Sequence, residues 1–402
     1  MNKGAFEHNT QPSVIRELFE YAKKRKQEIG NENVFDFTIG NPNVPTPKEV
    51  NEALIELIKN TDPIKLHGYT ANSGDPKVKE AVAIHISKTF NTHIDPELVY
   101  ITSGASPAIV FTIHSLVSCS TDEVIVFAPY FPEYGHYVHY KGGKLVAVKP
   151  GNNFIPDFND LKHKINENTK LVIINSPNNP SGVFYNEEVI LKITDILKEK
   201  EKEYGHPIYI LSDEPYRDLL FANKKYPFIT NYYNDSLVAY SYSKSLSLAG
   251  ERIGYLLVNP KAHDSKGLYT KLIKIGHNLG YVSTSSLFQY LLPKVMDLKV
   301  DIDFYKENRD ILYKNLTEIG FDVFFPEGAF YMFMKVPKGN SKEFVEKAKK
   351  YEIVVVPSDP FGVSGYVRIA YCVDRETIVN SKEAFEKLYR GEWYERYQRT
   401  KK

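Results

Sequence analysis

Cysteine is nearly absent from this chain: its 402 residues include two, Cys119 and Cys372. Two cysteines cannot build a disulfide framework, and their spacing offers nothing to a metal ion. A reducing, cytoplasmic setting is the simplest expectation. Excess charge of one sign is also lacking. A formal net charge of +1 gives no reason to expect nucleic acid or an anionic membrane as a partner. No run of about 18 apolar residues exists, so no membrane span is predicted. The first eight residues lack the basic-then-apolar order of a signal peptide, and none is expected. No internal repeat or low-complexity tract is visible, and residues 401–402 are expected to fray.

What remains is an ordinary globular composition, 42% hydrophobic and 25% charged, in a chain long enough for two domains. Aromatic residues make up 13%, with tyrosine leading, and much of this should be core and interface.

Residues 14–29 carry Ile15, Leu18, Phe19 and Ala22 at helical spacing. Residues 34–39 read as a short strand ending in a turn, and 49–59 as a helix. From residue 97, short apolar runs alternate with amphipathic stretches. The spacing predicts seven strands, at 98–102, 123–128, 144–149, 170–175, 207–212, 236–241 and 254–258. Helices are predicted at 105–117 and 186–204. Near-continuous Val/Ile runs such as Leu171 to Ile174 fit strands covered on both faces. The expectation is an α/β protein with a seven-stranded, mostly parallel sheet. Beyond residue 297 the alternation fades. A helix at 303–319 with Glu307 and Arg309 exposed, a hairpin at 321–336, a helix at 341–351, strands at 353–356 and 366–370 and a closing helix at 376–389 suggest a smaller α+β domain. The domain expectation is 48–297 for the large unit, and 1–47 with 298–402 for the small one.

Several segments at predicted strand ends carry chemistry, where open α/β sheets place their ligands. Lys244 follows the strand at 236–241, with Ser241 before it and Arg252 eight residues later. A lysine can form a Schiff base with a carbonyl. Serine hydroxyls and an arginine can hold a phosphate. An aldehyde that also carries a phosphate, pyridoxal 5′-phosphate, calls for this combination. The plainer reading of a lone lysine is a solvated loop residue. Gly104, Ala105 and Ser106 form a small-residue turn opening a helix, suited to an anion or simply to a helix cap. Residues 175–182 contain two prolines and the asparagines Asn178 and Asn179, a rigid turn with donors or a structural loop. Asp213 ends a buried strand with Tyr216 three residues on. It can hold a pyridinium proton or cap a helix, and at such a depth it needs a partner. Arg368, inside an apolar strand, needs an anion, either a substrate carboxylate or a structural acid.

Together these segments resemble the class I/II aminotransferases of fold type I, the aspartate aminotransferase superfamily. Gly40 to Pro42, His67 to Thr70 and Gly328 to Phe333 extend the match, which runs from about residue 14 to 390 in matching order and spacing. The resemblance implies that Lys244 forms the Schiff base with pyridoxal 5′-phosphate and later shuttles the substrate α-proton. It implies that Asp213 pairs with the ring nitrogen and that Tyr216 and Asn179 bond the ring 3-oxygen. Arg252, Ser241 and the backbone of the Gly104–Ser106 turn would hold the phosphate, and Phe131 would stack on the ring. Tyr69 would reach the phosphate of a neighbouring subunit, which implies a homodimer with shared sites. Arg368 would bind the substrate α-carboxylate, helped by Gly40 and Asn179.

The implied reaction is ping-pong transfer between an L-amino acid and a 2-oxo acid in amino acid metabolism. Aspartate is the favoured donor, because residues 12–21 are similar to bacterial proteins assigned as aspartate aminotransferases. A second cation for the distal carboxylate is not evident. Ser106 stands where one subgroup has lysine; another subgroup takes an arginine from the partner subunit, but no arginine occurs between Arg252 and Arg309, where it would be expected. Lys271, Lys274 or His277 are candidates, and a tyrosine-lined aromatic pocket is the alternative. A C–S β-lyase shares every cofactor residue, and a non-catalytic regulatory protein would keep the fold. The absence of a basic module speaks against the latter.

Overall fold

A computed structural model describes residues 13–221 and 224–400. The expectations for Pro12, for residues 1–11 of the smaller unit and for the 401–402 end fall outside the described residues. Strand β1 (Phe35–Asp36) is shorter than the predicted run. The next seven strands form one sheet: β2 (Val99–Thr102), β3 (Glu123–Phe127), β4 (Lys144–Val148), β5 (Thr169–Asn175), β6 (Tyr209–Asp213), β7 (Ser236–Ser241) and β8 (Gly254–Val258). Their order is β2-β8-β7-β6-β5-β3-β4. All pairs are parallel except those of β8, which runs against β2 and β7.

The sheet is covered on both faces. Val172 and Ile174 join Ile210 and Val238 in one buried cluster, while Leu171 and Ile173 join Leu211 and Leu237 in another. Such side chains contribute roughly 1.5–3 kcal/mol each on burial, which fixes the register of the central strands. The first cluster takes in helices Pro76–Phe90 and Glu187–Tyr204, the second Ala105–Leu116 and Ser265–Asn278. Asp75 accepts from the amides of Lys77 and Val78 and Asn186 from that of Val189, so these two helices start at side-chain caps.

Early and late segments of the described chain meet. A third cluster gathers Leu18, Ala22 and Phe37 with Leu312, Phe344, Ile353 and Phe385. Here β9 (Val323–Phe324), β10 (Tyr331–Lys335), β11 (Ile353–Val354), β12 (Val356–Pro357) and β13 (Tyr366–Ala370) complete the strands. β12-β13-β10-β9 form an antiparallel sheet, and β1 pairs in parallel with β11. The run predicted as one strand at 353–356 is therefore split, because it passes from one small sheet to the other.

The long helix is Ile302–Ile319, begun by an Asp301 cap and ended by left-handed Gly320. Arg309 on it is buried, not exposed as expected. Its guanidinium lies against the rings of Phe221 and Phe325, 5.0 and 4.4 Å from their centroids, and donates to the Pro326 carbonyl at 3.1 Å. Asp310 supplies the counter-charge at 2.7 Å. An arginine that stacks and pairs in this way can be packed where a lysine could not.

Candidate active site

The register brings Thr102 opposite Gly254, Gly254 opposite Ser241, and Asn175 opposite Asp213. The C-terminal ends of β2, β5, β6 and β7 thus share one sheet edge, where a cavity of about 530 Å³ opens. It is lined by Gly40, Ala105, Ser106, Phe131, Asn179, Asp213, Tyr216, Ser241, Lys244, Arg252 and Arg368, positions spread over 328 residues of chain. Gly104 sits behind Arg252. It has φ +90°, and a Cβ there would come within 2.8 Å of the Arg252 guanidinium, so only glycine lets the two approach. Tyr69 stands outside, 93% exposed. Lys271, Lys274 and His277 do not line the cavity of their own chain, within which His277 contacts Asn72.

Lys244 lies on a four-residue helix, Tyr242–Ser245, directly after β7. Its Nζ donates to the Gly40 carbonyl at 2.8 Å. Gly40 carries no side chain for a reason: a Cβ would overlap the Tyr331 hydroxyl at 1.8 Å. Burial pushes the Lys244 amine down to about 8, with Cys372 opposing and Arg252 assisting.

Asp213 is buried at the end of β6 and caps no helix. Oδ2 accepts from the Tyr134 hydroxyl at 2.5 Å, and the Asn175 amide stands 3.5 Å away. Oδ1 has no partner. Burial pushes this carboxyl up to about 7, against the pull of the Tyr134 hydrogen bond. Tyr134→Phe removes that bond, so the Asp213 titration should move above about 7, as infrared difference spectra against pH would record. An unshifted titration would mean the tyrosine does not tune the carboxyl.

Arg252, in a left-handed conformation (φ +54°), donates to the Ala249 carbonyl at 3.0 Å, the Ser243 hydroxyl at 3.3 Å and the Ser103 carbonyl at 3.3 Å. Ser241 and Ser243 share a 2.7 Å hydrogen bond beside it. The helix Ala105–Leu116 starts at the same place, so its first amides, a cation and two hydroxyls converge as an anion cradle. Arg368, 2% exposed, pairs with no acid among the described residues. It donates to Asn179 Oδ1 at 3.1 Å and the Thr38 carbonyl at 2.5 Å, while its Nε is unsatisfied. Burial holds it below the usual guanidinium range. With Oδ1 occupied, Asn179 has its amide N–H groups to offer a ligand. Its loop is rigid, since Asn175 Oδ1 accepts from the Asn179 amide and Asn178 holds Ser181 and the Pro129 carbonyl. Tyr216 meets the Tyr331 hydroxyl at 3.0 Å. Phe131 stands edge-on to Tyr134, with centroids 5.6 Å apart.

The family model for aminotransferase class I and II matches residues 32–385. The chain belongs to this family. The aminotransferase is 33% identical over 393 residues to an aspartate aminotransferase of Pyrococcus horikoshii, covering 94% of this chain and 95% of that one. It is 30% identical over 390 residues to a probable aspartate aminotransferase of Methanocaldococcus jannaschii, covering 94% and 98%. Among solved structures, an amino transferase from Eubacterium rectale superposes with TM-score 0.94 at 48% identity over 97% of this chain and 98% of that one. The aspartate aminotransferase of Thermotoga maritima gives 0.83 at 27%, covering 94% and 98%. This chain is a transaminase, moving an amino group between an amino acid and a 2-oxo acid.

Sequence reasoning missed several residues of the aminotransferase site. Ser243 was legible, two places from Ser241 in the same serine-rich run. Asn175 and Tyr331 fall within segments noted above, 175–182 and 328–333, but their places in the site, like that of Tyr134, come from contacts across the fold. The helix Val14–Ile29 also reaches the cavity, through Ile15, Arg16, Phe19 and Glu20.

Proposed function

We propose that the cavity takes pyridoxal 5′-phosphate and that the enzyme transfers the amino group of an L-amino acid, aspartate foremost, to a 2-oxo acid in ping-pong fashion. The observation that carries this is the unpartnered Oδ1 of buried Asp213, facing the same cavity as Lys244. A buried carboxylate oxygen without a donor is costly, and a protonated ring nitrogen would satisfy it. The aspartate preference rests on the archaeal relatives' names.

When bound, the cofactor supplies an aldehyde for amino groups and a cationic ring that draws electrons from the α-carbon. The protein does the rest. Ser241, Ser243, Arg252 and the amides of Ala105 and Ser106 hold the phosphate. Asp213 keeps the ring nitrogen protonated, Tyr216 and Asn179 bond the ring oxygen, and Phe131 covers the face. The fork of Arg368 would take the α-carboxylate, and the Nζ of Lys244 would anchor the aldehyde and, once displaced by the incoming amino group, would accept and return the α-proton. We also propose a homodimer in which Tyr69 enters the partner's site. The exposure of Tyr69, of Ile64 at 85% and of Tyr281 at 41% supports it. The two-domain division at residues 48 and 297 and a cytoplasmic location belong to the same proposal. Free thiols at Cys119 and Cys372 suit a reducing compartment.

Single L-amino acids added to the cofactor-loaded enzyme, without an oxo acid, test the reading. Conversion of the visible band to a stable amine-form band with matching 2-oxo acid is expected. A persistent band with pyruvate and ammonia from a β-substituted donor would point to the lyase instead. A second expectation follows from Lys244. Its neutral fraction falls about tenfold per pH unit below about 8. The rate of cofactor uptake by the cofactor-free protein should therefore rise with pH and level off above 8. A pH-independent rate from 6 to 9 would contradict this.

A further inference from the structure

Four lysines and arginines line the cavity: Arg16, Lys244, Arg252 and Arg368. The proposed function employs three of them. Arg16 is left over, and its position is poorly explained by structural needs. It is the third residue of helix Val14–Ile29, where the positive end of the helix dipole disfavours a cation. It forms no ion pair or hydrogen bond among the described residues. Glu20, four residues on, has the less favourable order for a helical pair with it, and the two do not pair. Besides Asp213, two acids face the cavity. Glu133 opens helix Glu133–Lys141, where the dipole favours a carboxylate, so its own helix accounts for it. Glu20 is exposed and readily hydrated, and Arg16 is exposed as well, so Arg16 is open to an incoming ligand.

We infer that Arg16 is the cation that recognises the distal carboxylate of a dicarboxylic substrate, which makes the N-terminal helix the specificity element of the site. The inference rests on the transaminase reading above. Arg368 holds the α-carboxylate from the small antiparallel sheet, and Arg16 meets the second carboxylate from the helix that reaches the same cavity. One chain then supplies both cations, without an arginine or lysine at the positions expected from the sequence.

The test compares cofactor-loaded wild type with Arg16→Gln and Arg16→Lys. Succinate binding is measured by calorimetry, and kcat/KM is measured with aspartate and with alanine. Loss of a charged hydrogen bond should weaken succinate roughly ten- to a hundredfold in Arg16→Gln. The aspartate-to-alanine ratio of kcat/KM should fall by a similar factor, with Arg16→Lys recovering part of both. An unchanged ratio with unchanged succinate affinity overturns the inference. So does a wild-type preference for lysine or ornithine that Glu20→Gln abolishes. If the wild type accepts no donor at all, the transaminase reading falls, while succinate calorimetry still decides the role of Arg16.

Discussion

Lys244→Ala is expected to lower turnover roughly 10⁴-fold or more, because it removes both the covalent anchor and the proton-transfer base. The fold should survive. The lost contacts are one hydrogen bond to the Gly40 carbonyl and a 5.3 Å approach to the Phe330 ring. The anchors proposed for the phosphate and the ring remain, so cofactor should still co-purify in part. Single-turnover absorbance with aspartate is the measurement. Normal turnover in this variant would sink the assignment, whereas normal cofactor content with stalled chemistry supports it.

Asp213→Asn should have two opposite effects. Turnover should drop roughly 10²–10³-fold, the scale for removing one electrostatic group aimed at developing charge. The cofactor-free protein should become more stable above neutral pH. A carboxyl raised from 3.8 to about 7 by burial keeps its proton in the folded state where the unfolded chain has released it. Its contribution to stability is complete below the unfolded value and is lost as pH climbs to about 7. The penalty above that is roughly 4 kcal/mol, an order-of-magnitude figure. Asparagine has no such titration, so its melting temperature should lack the fall between pH 4 and 7. Parallel melting curves for wild type and variant across that range would refute the account.

The large sheet was legible because its strands are near-continuous apolar runs, and a strand covered on both faces leaves that mark on composition. All seven were found to within a few residues. The antiparallel sense of β8 was not legible, since direction depends on the connection and not on the run itself. Most cavity residues expected from motifs converge because their motifs lie at strand ends, while Arg368 comes from within β13. What escaped depends on approach between distant segments. Tyr134 meets Asp213 across 79 residues, in a stretch where Tyr130 and Tyr137 look equivalent. Arg309 looked like a surface residue of an amphipathic helix, and only the two rings from other segments explain its burial. Arg16 lay in a helix recognised from its apolar spacing, but that spacing says nothing about what lies beyond its polar edge.

The pairing of β1 with β11 has a consequence for how the protein is made. Phe35 pairs with Ile353, so the early segment waits for its partner until more than 300 further residues have been added. At ribosomal rates of roughly 5–20 residues per second, the delay is about a quarter of a minute to a minute. During that time Leu18, Ala22 and Phe37 have no final resting place, although the seven-stranded sheet has already emerged. A nascent chain stalled just after β8 should therefore expose its N-terminal helix to chaperones and proteases. Release of the full-length chain should abolish that sensitivity.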